Sequence, residues 1–208
     1  SLLREGSTHG WSSAGSDMYQ RQQLGLDHVL DSNAYDHILF LSALAIPFTF
    51  KNWVNVLWLV TIFTVSHCLS LALSAFEIVT VDVSLIEFLI PVTIVLTALY
   101  NILKLRNQTA HKSMLWHMVA TAIFGLVHGF GFSNYFKMLV ADSEEKVGPL
   151  LGFALGIELS QVIIVLLVLL LVYLCRSVLK IKQAAFISVA SVIIILITIP
   201  LLYNTCPW

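Results

Sequence analysis

Charge is what this sequence has least of. Only 11% of its 208 residues are Asp, Glu, Lys or Arg, against about 25% in soluble domains. Hydrophobic residues make up 58% and the mean hydropathy is +0.89. An ordinary water-soluble domain is thereby excluded, and an integral membrane protein is the class that remains. A net charge of −1 with no basic run argues against nucleic acid as a partner. The three cysteines, Cys68, Cys175 and Cys206, are scattered without a CxxC, so neither a zinc knuckle nor a disulfide framework is indicated. No phosphate-binding loop, GxSxG elbow or HExxH occurs, which leaves ATP-driven pumping and the common hydrolase signatures without support. An initiator Met is missing as well. Ser1 fits a chain from which a signal peptide was removed, or one shortened artificially.

What is present is a series of long apolar runs. Segments able to cross about 30 Å of hydrocarbon recur at 53–76, 84–103, 114–140, 149–175 and 184–203. A sixth, Ile38 to Phe50, has only 13 uncharged residues and spans only if its helix starts earlier, near His28 or Tyr35. The expectation is an all-α bundle of about six transmembrane helices, the first short or irregular. Pro47 and Pro91 should bend or break helices where neighbours satisfy the freed carbonyls. Residues 1–23, rich in Ser, Gly and Gln and without an apolar period, read as a flexible aqueous arm ahead of a single transmembrane domain at 24–208.

The loops orient this bundle. Lys51, Lys104, Arg106, Lys112, Arg176, Lys180 and Lys182 fall in alternate connections, while the acids lie in the other connections or within the spans. By the positive-inside rule both termini lie outside the cytoplasm, as in a multi-pass protein of a bacterial inner membrane. At about 1.5 Å per helical residue, Asp36 and His37 open the first span at its outer end. His67, Glu87, His128 and Glu158 then fall in the outer half of four further helices.

Imidazoles gathered with carboxylates suit a divalent transition metal: nickel, cobalt, copper or zinc bind nitrogen, and the acids offset charge or orient the rings. The plain alternative for each of these residues is a hydrogen-bonded helix contact or an interfacial cap. Along the second span Thr64, His67, Ser70 and Ser74 form one polar stripe, and along the fourth His117, Thr121, Gly125 and His128 form another. Gly148, Gly152, Gly156 and Ser160 recur every four residues as a close-packing edge, leaving Glu158 and Gln161 on a separate face.

Five blocks then carry a resemblance: Ala34-Tyr-Asp-His-Ile-Leu-Phe-Leu41, Phe63-Thr-Val-Ser-His-Cys-Leu-Ser-Leu71, Val83-Ser-Leu-Ile-Glu-Phe-Leu-Ile90, Phe124-Gly-Leu-Val-His-Gly-Phe-Gly-Phe132 and Gly152-Phe-Ala-Leu-Gly-Ile-Glu-Leu-Ser-Gln161. In order, they resemble the signature blocks of the HupE/UreJ family. The resemblance implies a nickel or cobalt permease carrying the ion into the cytoplasm. The nickel-associated branch of that family spaces its first His five residues before Asp-His, whereas seven residues separate His28 from Asp36 here. Gly125 and Gly131 also stand where that branch has a His and a Glu, so this sequence is more similar to the second, less characterised branch.

The metal set expected from these arguments is Asp36, His37, His67, His128, Glu158, Glu87 and His28. In it Asp36 and His37 capture the ion at the outer mouth, His67, His128 and Glu158 pass it inward, and Glu87 acts as an electrostatic guide. The rival readings are a zinc-dependent intramembrane hydrolase using His37, His67 and His128 with Asp36 or Glu158 as base, and a non-catalytic membrane subunit or assembly factor. Lipid and a divalent ion are the partners this reading calls for.

Overall fold

A computed structural model describes residues 6–30, 35–106, 114–140 and 147–207. Seven α-helices appear among them: α1 (Gly6–Leu30), α2 (Asp36–Ala45), α3 (Trp53–Ala75), α4 (Val83–Arg106), α5 (Met114–Val140), α6 (Val147–Tyr173) and α7 (Gln183–Asn204). A short 3-10 turn, Phe50–Asn52, leads into α3, and a π turn, Leu174–Val178, extends α6. The described residues contain no strand. Among the described residues, four helices are long and apolar enough to cross a membrane: Phe50–Ala75, Val83–Leu105, Val147–Val178 and Gln183–Asn204. Helix α5 is equally long and carries His117 and His128. The outward faces of α6 and α7 expose Leu166, Leu167, Leu170 and Leu171 and Val192, Ile193, Leu196 and Ile197. An apolar belt of this kind is what lipid covers.

The bundle is built from close pairs: α3 with α5, α1 with α6 and α4 with α7, with α2 wedged among α4, α6 and α7. Glycine sets the first two. A Cβ on Gly125 would meet Ser66 Oγ and Phe63 O, and one on Gly129 would meet Ser70 Oγ and His67 O, so α3 and α5 touch through backbone. Across the other pair, Gly152 lies against Met18 and Arg21, Gly156 against Gln22 and Leu26, and Gly25 against Phe153 and Ile157. Both partners advance together, so α1 runs beside the first half of α6 in the same direction. The expected glycine edge therefore packs α1, a helix whose residues up to 23 the sequence marks as an arm.

That is a correction to residues 6–23, which are helical. An apolar stripe was the signal sought, and α1 has none because it is seated by backbone against glycine, a mode of association that needs small residues rather than large apolar ones. The first apolar helix is short, as expected: α2 begins at Asp36, beside Tyr35, and has only 10 residues, while α1 ends at Leu30.

Pro47 explains how α2 ends. Proline has no N–H, so Ala43 O, four residues before it, loses its helical donor. Asn101 of α4, 5% exposed, supplies the bond, its Nδ2 donating to Ala43 O at 2.7 Å. Pro91, by contrast, sits inside a helix that continues through it. Asn101→Leu should destabilise the fold by about 1–3 kcal/mol by leaving a buried carbonyl unpaired. Thermal unfolding in detergent checks this, and an unchanged midpoint would contradict it.

Candidate metal site

Four helices deliver imidazoles to one place. His28 comes from the end of α1, His37 from the first turn of α2, His67 from the second half of α3 and His128 from the glycine-rich middle of α5. The ring centroids lie 4.8 Å apart for His28 and His37, 5.9 Å for His28 and His67, 5.7 Å for His37 and His67, and 5.3 Å for His37 and His128. His37, His67 and His128 are 3%, 0% and 1% exposed. Ring nitrogens of His28, His37 and His67 lie within 4.8 Å of one another. Bonds of about 2 Å to a metal require donor atoms within about 4 Å of each other, so the rings need only a small closure to share an ion.

The hydrogen bonds leave nitrogen lone pairs free. His37 Nδ1 donates to Asp36 Oδ1 at 3.1 Å, and the same oxygen accepts the His37 backbone N–H at 2.9 Å. That arrangement selects the tautomer with an unprotonated Nε2, whose lone pair is free for a metal. His128 Nδ1 donates to Phe124 O at 2.9 Å, with the same result for its Nε2. His28 Nε2, His37 Nε2, His128 Nε2 and both nitrogens of His67 are buried without a partner. A buried polar atom left this way costs about 1–3 kcal/mol, so five in one place call for a ligand. The donor set suits a borderline transition metal and not a hard cation such as magnesium.

Aromatic rings wall the cluster. Phe63 lies 5.3 Å from the His128 ring and 5.8 Å from that of His67, Phe40 lies 5.2 Å from His128, and Phe132 sits 3.7 Å from His28. These rings keep water out, which strengthens electrostatic interactions within. Phe132 and the Phe124 carbonyl were not among the expected site residues, although both stand in the block around His128.

Five of the seven expected residues are thus gathered: His28, Asp36, His37, His67 and His128. The other two are not. Glu158, on α6, meets a different face of α3, its Oε1 accepting from Thr61 Oγ1 at 2.7 Å, and Glu87 is exposed on α4. His37 is enclosed by the other three rings. The polar stripe of α3 divides: Thr64 donates to Gln161 of α6 at 3.2 Å, while Ser70 faces Gly129 of α5. His117 lies apart, 3.3 Å from Lys104 Nζ, and His111 falls outside the described residues.

Fold and site together define a helical membrane protein with a buried histidine cluster held between its helices. The family model described as HupE / UreJ protein matches residues 7–204, and the chain belongs to that family. No curated protein and no solved structure matches it.

Proposed function

We propose that this protein is a divalent transition-metal permease of the nickel or cobalt type, carrying the ion inward through the site formed by His28, His37, His67 and His128. The observation that carries this reading is the convergence of five unpartnered imidazole nitrogens in a chamber from which water is excluded. Membership of the HupE/UreJ family, which is associated with nickel and cobalt transport, supports it.

In this mechanism α1 and α2 act as one crossing interrupted beside the site, and α3 to α7 make five more, giving six with both termini outside. Helices broken beside an ion are a recurrent device of carriers, because they bring side chains and helix ends to the middle of the bundle. Neutral imidazoles bind the cation by nitrogen lone pairs, and among the described residues Asp36 supplies the carboxylate in contact with a ring. A dication held with so little opposing charge is bound loosely enough to leave, as transport requires. Both acids considered as a hydrolytic base are engaged elsewhere, Asp36 by His37 and Glu158 by Thr61, which favours a carrier over the zinc hydrolase.

The test is uptake of nickel, cobalt and zinc into vesicles containing the purified protein, with magnesium as control and elemental analysis of the same preparation. Accumulation of a transition metal but not of magnesium is expected. Failure of all three to enter down an imposed gradient would remove the reading, and stoichiometric zinc retained through purification would favour the hydrolase. Asp36→Asn should weaken metal binding about 10–100-fold, as loss of a ligand-orienting partner does, while leaving nitrogen ligation intact. Calorimetry and X-ray absorption measure the two parts. Unchanged affinity would mean that Asp36 does not orient His37.

A further inference from the structure

The polar face of α5 extends beyond the histidine cluster. His117, Thr121 and His128 recur along it over about 16 Å, and of these the cluster uses His128 alone. Helix α4 runs antiparallel beside this face in a steady register. A Cβ on Gly131 would meet Ile90 at one end, and Lys104 Nζ lies 3.3 Å from His117 Nε2 at the other, so 14 residues of α4 match 14 of α5 between the two contacts. Thr93 therefore stands level with His128, and Asn101 level with Thr121. Helix α2 descends on a third side. Its Phe40 ring lies 5.7 Å from that of Phe124 and its neighbour Phe48 lies 6.1 Å from His117, while Ala43 between them takes the Asn101 bond. Thr121, 1% exposed, is enclosed at the middle of this seam, and its Oγ1 has no hydrogen-bond partner among the described residues.

We propose that the metal ion leaves the histidine site along this seam between α2, α4 and α5, and that His117 is a second metal-binding residue, from which the ion is released. The inference rests on the permease reading, and in the proposed orientation His117 stands toward the cytoplasm. A buried threonine in an apolar helix ordinarily bonds its own backbone, as Thr93 does to Ile90 O and Thr198 to Ile194 O. Thr121 makes no such bond, which leaves the lone pairs of its oxygen to a passing cation. Lysine has donors and no acceptor, so it is His117 Nε2 that accepts from Lys104 Nζ. The lone pair that takes the ammonium is the one a metal would take. Lys104 is therefore a tethered competitor: the arriving ion displaces it, and its return to the same nitrogen expels the ion, with like-charge repulsion adding to the effect. Phe40 and Phe124 close the seam between His128 and Thr121. Opening it requires those rings to rotate, whereas toward α3 Gly125 and Gly129 hold α5 by backbone contact.

The experiment measures nickel uptake by the full protein in lipid vesicles, nickel affinity by calorimetry and thermal unfolding in detergent, for the wild type, Thr121→Val, His117→Ala and Ser191→Ala. Valine keeps the shape of threonine and removes an oxygen that bonds nothing, so Thr121→Val should unfold no earlier than the wild type and bind nickel as tightly. Its uptake should nevertheless slow about tenfold, the scale of one contact to a charged group, and that of His117→Ala at least as much. Ser191 Oγ on α7 is equally buried and equally without a partner among the described residues, but it lies off the seam. Ser191→Ala should carry nickel at the wild-type rate. Lys104→Met should gain a second, weaker nickel equivalent that disappears when His117→Ala is added, and its absence would overturn the competition at Nε2. Wild-type uptake by both Thr121→Val and His117→Ala, or an equal loss in Ser191→Ala, would overturn the route and leave the permease reading standing. Early unfolding of Thr121→Val would give the hydroxyl a structural role and remove it from the route. Nickel bound by the wild type but never carried across would overturn the permease reading, and the route with it.

Discussion

Replacing His67 by leucine is expected to abolish metal binding while leaving the metal-free protein at least as stable as the wild type. Most substitutions at fully buried residues destabilise, so the direction is diagnostic. His67 is 0% exposed and neither of its nitrogens has a hydrogen-bond partner. In the absence of a ligand each such atom costs about 1–3 kcal/mol. Leucine removes both atoms, fills much of the space and gives up the ring's contacts with Phe63, 5.8 Å away, and with His28 and His37, 5.9 and 5.7 Å away. The metal loses a direct donor, and the effect should exceed the roughly 10–100-fold characteristic of outer partners. Calorimetric titration with nickel, cobalt and zinc and thermal unfolding of the metal-free protein measure the two quantities. A variant that keeps its metal would remove His67 from the site. One that unfolds well below the wild type would reveal a structural role for the imidazole.

The second large effect is expected from a single methyl group. Gly129→Ala should destabilise the protein by about 1–3 kcal/mol, the range of an overpacked core, and weaken metal binding with it. The added Cβ would fall against Ser70 Oγ and the backbone oxygen of His67. Ser70 Oγ is itself bonded to that oxygen at 2.8 Å, and a helix backbone does not move alone. Helices α3 and α5 must therefore separate, carrying His67 and His128 apart. Two residues along, Gly131→Ala supplies the control. Its Cβ would meet Ile90 Cδ1 at 2.7 Å, the far end of a flexible side chain, with Ile86 Cγ2 next at 3.6 Å. That substitution should be nearly silent in unfolding and in metal titration. Equal effects from both would mean that close approach of α3 and α5 is not what positions the two histidines.

The long apolar segments at 53–76, 84–103, 114–140, 149–175 and 184–203 were legible because hydrocarbon rejects unpaired backbone and charge. Length and hydropathy therefore locate such helices without any knowledge of their neighbours, and helices α3 to α7 occupy those segments. His128 drew attention for the same reason, an ionisable ring among glycines having no place against lipid. The glycine edge at Gly152 and Gly156 was also readable, since a period of four in small residues announces close approach. Its partner was not. Helix α1 carries no apolar stripe, and contact made through backbone leaves little mark on the side chains of the helix that lies there.

Membership of the site divided along similar lines. Depth along each helix suggested that His37, His67, His128, Glu87 and Glu158 would meet, but depth is one coordinate of three. Rotation about each helix axis supplies another, and it sends Glu87 to the surface and Glu158 to Thr61 while turning His67 and His128 toward His37. His28, whose distance from Asp36 departs from the motif of the nickel-associated branch, belongs to the cluster because α1 ends beside α2 and the two helices need not share a register across the break. The sequence by itself determined an all-helical membrane protein, the positions of its apolar helices and the residue types available for a site, since each depends on local composition against a fixed solvent. Tertiary structure alone decided which of those residues face one another, because that depends on how α1, α2, α3 and α5 are rotated and how closely glycine lets them approach.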